Sequence, residues 1–126
     1  MILLLLAACD DTLFGVLPDT GSAAVEQPDY AADVQPIWDD ACAVCHIGAA
    51  QGGLALDQGA AALVGVPSTE APDVLLVAPG DVEASYLWLK LTGKQTAGSA
   101  MPLGSALDDA DFGTVRNWIE DGASYQ

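Results

Sequence analysis

Cys42 and Cys45 stand three residues apart and His46 follows directly, in the segment Cys42-Ala43-Val44-Cys45-His46. Residues three and four apart on a helical turn share one face, so two thiols and one imidazole can be presented together to a single flat ligand. A C-x-x-C-H run of this kind reads as an attachment site for a c-type haem, in which the thiols add to the two vinyl groups and the imidazole binds the iron axially. Two other uses of the pair weigh less. A thioredoxin-type dithiol belongs in an alternating strand and helix pattern, which this chain lacks. Zinc needs four ligands, usually completed by a second knuckle, and there is no second C-x-x-C and no other histidine. One covalent haem c is therefore the expected cofactor.

The sixth iron ligand follows by elimination. With His46 the only histidine, bis-histidine ligation within one chain is ruled out, and Met101 is the only methionine besides Met1. Met101 precedes Pro102, which biases its backbone towards an extended conformation, and lies between Gly98 and Gly104 in a loop able to carry its sulfur to the iron. Axial histidines are usually oriented through their second nitrogen. A carbonyl near Gly52 to Leu54, or at Pro79, is expected to accept that hydrogen bond. Trp38, Trp88 and Trp118 are read as core, Arg116 as a surface partner of Glu120 four residues on, and Lys90 and Lys94 as having no part in the site.

Four helices are expected to position these groups. Tyr30 to Cys45 carries Val34, Ile37, Trp38, Ala41 and Cys45 at helical spacings, with Pro36 in its first turn. Asp57 to Val64 reads as a second, short helix capped by Asp57 and ended by Gly65, and Val82 to Thr92 as a third, capped by Asp81 and ended by Gly93. The fourth follows Asp108, with Phe112, Val115 and Ile119 on one face and Gly122 closing it. Loops rich in glycine and proline separate them. Nothing alternates long enough for a sheet, so the fold class is all-α.

The chain has 126 residues, a length for one domain. Alanine supplies much of its 52% hydrophobic content, with only three Trp, three Tyr and two Phe, so large apolar side chains are scarce and a buried prosthetic group would complete the core. Against 18 Asp and Glu stand three Lys and Arg, a formal net charge of -15. Such a surface repels nucleic acid, which requires cations to neutralise its phosphates. Acidity either keeps an exported protein soluble or docks a redox partner with a basic surface.

The third cysteine, Cys9, has a separate setting. It follows Leu3-Leu4-Leu5-Leu6-Ala7-Ala8, a run far too short to span a bilayer that reads as the end of a signal peptide. Leu6-Ala7-Ala8-Cys9 resembles the bacterial lipoprotein box, which implies lipidation of Cys9 and a membrane anchor outside the cytoplasm. No Lys or Arg precedes the run, which leaves room for a start upstream of Met1. The expected organisation is a signal peptide over 1–8, a lipidated cysteine and flexible tether over 9–29, and a haem domain over 30–126.

Several segments of that domain carry a family resemblance. Val34-Gln35-Pro36-Ile37-Trp38 precedes Cys42 to His46, then come Gly52-Gly53-Leu54-Ala55-Leu56-Asp57 and Val77-Ala78-Pro79-Gly80-Asp81. Ser85-Tyr86-Leu87, Lys90-Leu91-Thr92-Gly93, Met101-Pro102 and Asn117-Trp118-Ile119-Glu120-Asp121-Gly122-Ala123 follow in order. Over about Val34 to Ala123 the chain resembles the small cytochrome c domains abundant in planctomycetes and myxobacteria. The resemblance implies a cytochrome c fold with its first and last helices packed together beside the haem, Met101 as distal ligand, and electron transfer as the function. The shortage of Lys and Arg departs from such domains and puts their usual docking surface in question. A five-coordinate haem enzyme and a gas- or redox-sensing module are the alternatives, and neither a second histidine nor an obvious distal base is present for proton transfer.

Overall fold

The computed structural model describes residues 23–125; Cys9, the apolar run before it and most of the 9–29 segment lie outside the described residues. The elements are α1 (Gln35–Ala41), α2 (Ala43–His46), α3 (Tyr86–Thr92) and α4 (Asp109–Glu120), with single 3₁₀ turns at Gln51–Gly53 and Ala60–Ala62. Pairing of β type among the described residues is confined to three isolated bridges. The domain is all-α, as the sequence pattern predicts. Among the described residues no helix is long and apolar enough to cross a membrane.

The first helical stretch opens with reciprocal capping: Asp29 Oδ1 accepts from the Ala32 amide and Asp33 Oδ2 from the Asp29 amide, both at 2.8 Å. Tyr30–Val34 then winds as a π turn, with the Gln35 amide reaching back to the Tyr30 carbonyl. Pro36 explains the wider turn. A proline inside an α-helix has no N–H to donate and its ring meets the carbonyl four residues back, and a π turn relieves both. The single helix expected over Tyr30 to Cys45 is also interrupted at Cys42 (φ -122°, ψ -12°), after which one fresh turn carries Ala43 to His46.

The helix expected over Asp57 to Val64 does not form. Gly59 (φ 76°) turns the chain, Ala60–Ala62 makes one 3₁₀ turn, and beyond it the backbone pairs with a later segment: Gly65 donates to Val77 at 2.9 Å and Val77 to Leu63 at 3.2 Å. Tertiary pairing overrides local propensity here. The third helix starts four residues later than expected. Asp81 Oδ1 accepts from the Ala84 amide at 3.1 Å and so caps a turn, while the fully buried Ser85 hydroxyl accepts from the Ala78 amide and donates to the Asp81 carbonyl. The first amides of α3, those of Tyr86 and Leu87, are then satisfied by the Leu75 and Leu76 carbonyls at 2.8 and 3.0 Å, so the preceding loop acts as the cap. Gly93 ends the helix in the left-handed conformation as expected.

Asp108 caps α4 by accepting from the Asp111 amide at 2.8 Å. Val115, Trp118 and Ile119 of α4 join Val34, Trp38 and Leu63 in one core. The opening turn packs against α4 through Tyr30 and Trp118, whose ring centroids lie 5.2 Å apart. The first and last helical segments thus meet as the family resemblance implies. All three tryptophans are buried, as the core reading has it. The chain just before Tyr30 is held on α4 as well: the Val25 amide donates to Thr114 Oγ1 at 3.0 Å, and Asn117 Nδ2 donates to the Val25 carbonyl at 2.8 Å.

Candidate functional site

The turn after the Cys42 break fixes the C-x-x-C-H residues. The Cys45 and His46 amides donate to the Cys42 carbonyl at 3.3 and 3.0 Å, which brings both cysteines and the histidine onto the wall of one cavity. Both thiols are free and half-buried. Burial, with the neighbouring Cys45, pushes the Cys42 thiol up to about 11. His46 is buried and anchored at its backbone, its carbonyl accepting from the Leu56 amide at 2.8 Å. Its Nδ1 lies 3.3 Å from the Leu54 carbonyl. Leu54 belongs to the Gly52 to Leu54 segment named for this role, and Pro79 does not take part. With Nδ1 donating to that carbonyl, Nε2 is left as the ring's lone-pair nitrogen, the form a metal requires.

The cavity measures about 610 Å³, within the span of sites that enclose cofactor-sized ligands. Its wall is mainly aliphatic and aromatic, with Trp38, Leu56, Leu76, Leu87 and Leu91 prominent, and Met101 lies on it together with Cys42, Cys45 and His46. Two stretches of chain far apart in sequence therefore meet at one place. Among the described residues no group of three His, Cys, Asp or Glu side chains could hold a metal ion. The cysteines and histidine face a wide apolar space instead of closing on a point, which suits a flat macrocycle and disfavours tetrahedral zinc. The donor set, the volume and the lining fit a haem bonded by thioethers.

Close backbone approach shapes the floor. Gly53 has φ 77°, and a Cβ there would stand 2.5 Å from Thr69 Oγ1. Only glycine lets the 51–54 segment lie against Thr69 while its next residue offers a carbonyl to His46.

The sequence reading overlooked a polar cluster in the same wall. Lys90, set aside there, has a side chain only 12% exposed and forms an ion pair with Glu70; both residues and Tyr86 line the cavity. The available signal was one lysine in the apolar run Tyr86-Leu87-Trp88-Leu89-Lys90-Leu91. Lys94 and Arg116 do lie outside the cavity, paired with Glu83 at 3.2 Å and Glu120 at 3.0 Å.

No curated protein and no solved structure matches the chain. Residues 42–102, which begin at the first cysteine of the motif and end just past Met101, match the family model described as Planctomycete cytochrome C. With an all-α fold and the C-x-x-C-H turn opening onto its cavity, the segment from Cys42 to Pro102 is similar to the planctomycete cytochrome c family, which supports a cytochrome c-type domain.

Proposed function

We propose that this protein is an electron carrier in which Cys42 and Cys45 bind one haem c through thioethers while His46 and Met101 serve as the axial ligands of its iron. The observation that carries this reading is the convergence of the Cys42–His46 turn and Met101 on one apolar cavity. Haem held this way supplies one-electron exchange at a potential raised by the thioether ligand. The chain's own part is to bind and orient: Leu54 sets the imidazole, the aliphatic wall would shield a bound haem from water, and Met101 is pinned by its amide, which donates to the Lys90 carbonyl at 2.9 Å.

The setting outside the cytoplasm and a lipid anchor at Cys9 rest on the Leu6-Ala7-Ala8-Cys9 run. The reading of a basic redox partner rests on charge: Lys90, Lys94 and Arg116 are the three cationic side chains, and each already has a carboxylate partner. The unpaired surface charge is thus acidic, and an oppositely charged patch would be steered towards it.

The test is an absorption spectrum of protein matured with the haem-attachment machinery, in oxidised, reduced and carbon monoxide-exposed states. A low-spin spectrum unmoved by carbon monoxide is expected. Rapid binding of carbon monoxide by the wild type would overturn the carrier reading in favour of a five-coordinate enzyme or sensor.

A further inference from the structure

The loop that carries Met101 makes alternating backbone contacts with α3. The Tyr86 hydroxyl donates to the Ala97 carbonyl at 3.0 Å and accepts from the Ala97 amide at 3.3 Å. Lys90 Nζ donates to the Ser99 carbonyl at 3.1 Å, and the Lys90 carbonyl accepts from the Met101 amide. Residues 97, 99 and 101 are therefore each tied to a residue of one helix. Glu70 joins from the preceding loop, ion-paired with Lys90 and 3.4 Å from the Tyr86 hydroxyl. Gly98 passes directly over this pair: a Cβ there would stand 2.6 Å from both Glu70 Oε1 and Lys90 Nζ. The cluster and the loop are built around each other.

From this arrangement we infer that Glu70, Tyr86 and Lys90 form a latch that positions Met101, holding its loop in place so that the thioether remains on the iron. The inference rests on the reading of Met101 as distal ligand. Ordering loop residues costs conformational entropy, and a single iron–sulfur bond would otherwise have to order the whole 97–101 stretch. A charge pair whose lysine is 12% exposed is screened far less than a surface pair, and Lys90 serves the loop with its ammonium and its carbonyl together. The three side chains act on the ligand through the loop backbone, as positioning residues.

The experiment uses the matured full chain and four variants: Lys90→Met, Tyr86→Phe, Met101→Ala, and Lys94→Met, which breaks the exposed Lys94–Glu83 pair without touching the latch. Two readouts are followed: the association rate of carbon monoxide with reduced protein, and the temperature at which the weak near-infrared sulfur-to-iron band of oxidised protein disappears. Far-ultraviolet circular dichroism reports the fold. Lys90→Met and Tyr86→Phe are expected to keep their helical signal, to bind carbon monoxide at least about tenfold faster, equivalent to about 1.4 kcal/mol, and to lose the band at lower temperature. Lys94→Met should match the wild type. Folded latch variants with wild-type rate and band would overturn the latch while leaving Met101 ligation intact. A wild type without the band, and unchanged by Met101→Ala, would overturn the ligation and the latch with it. If Lys90→Met does not accumulate folded, Glu70→Gln, at a side chain one-third exposed, carries the same comparison.

Discussion

Replacing Gly53 with alanine tests how firmly the His46 orienting segment is pressed into place. Three effects compete. At φ 77° an added Cβ strains the backbone by about 1–2 kcal/mol. The same Cβ would stand 2.5 Å from Thr69 Oγ1, 3.1 Å from its Cβ and 3.3 Å from its Cγ2; rotation about χ1 moves Oγ1 and Cγ2 together and leaves the Cβ contact, so an overpacking cost of about 1–3 kcal/mol remains. Opposing both, alanine narrows the unfolded ensemble and returns about 0.4–1 kcal/mol. The net expectation is a loss of about 2–3 kcal/mol, measured by denaturant unfolding of the matured protein. Thr69→Gly removes all three clashing atoms, so Gly53→Ala combined with Thr69→Gly should recover the steric share and leave the backbone share, a coupling of about 1–2 kcal/mol. The functional readout is the reduction potential. Displacing the Leu54 carbonyl weakens its hydrogen bond with His46, lowers the basicity of the imidazole and so raises the potential. Strictly additive effects at 53 and 69, or a Gly53→Ala variant as stable as the wild type, would refute the close packing on which this reasoning stands.

Other outcomes follow from single side chains. Tyr30 is 6% exposed and its hydroxyl is buried without a hydrogen-bond partner, so Tyr30→Phe should be neutral or stabilising by about 1 kcal/mol at pH 7. Burial also pushes the Tyr30 phenol up to about 12 from 10.0: its contribution is intact below pH 10 and is lost as pH rises towards 12, by about 2 kcal/mol. The Phe variant should lack that alkaline loss, and a wild-type alkaline limb in the variant would refute the assignment. Ser85→Ala leaves the Ala78 amide and the Asp81 carbonyl without their buried partner; a cost of about 2 kcal/mol and a melting point lower by roughly 10 °C are expected, and an unchanged melting point would contradict it. Haem should survive acid-acetone extraction in the wild type and be released from the Cys42→Ala plus Cys45→Ala variant. Electron transfer to a basic partner should slow steeply with added salt, since exposed charges are screened beyond about 8 Å at physiological ionic strength.

The parts of this molecule legible in the sequence are those governed by neighbours along the chain. Helix α4 could be read because Asp108 and Gly122 bracket an apolar face, and the cysteine and histidine spacing carries its geometry within one turn. The shared cavity of Met101 with that turn could be anticipated by counting residue types, although its position depends on α3. What escaped depends on distant partners. The 57–64 segment has helical residues, yet Leu63 and Gly65 bond to Val77. The amides that begin α3 find their acceptors at Leu75 and Leu76. Lys90 looks like a surface residue until Glu70, twenty residues earlier, comes to it through the fold. The π turn before Pro36 sits between these cases: proline announces a disturbance but not how the preceding turn absorbs it.

The meeting of the Cys42–His46 turn with Met101 also has a polymer consequence. A prosthetic group bonded at both places cross-links the chain, closing a ring of about 55 residues in the manner of a disulfide. On the chain-entropy account, a ring of that size removes about 4 kcal/mol of freedom from the unfolded ensemble, comparable to the whole stability of a small domain. Thioethers would survive unfolding where an iron–sulfur bond would not, so only the second bond would be re-formed each time the chain folds. Closing that bond would then be the late topological step in folding, after which a sequence with few large apolar residues keeps a compact shape that the bare polypeptide holds less firmly.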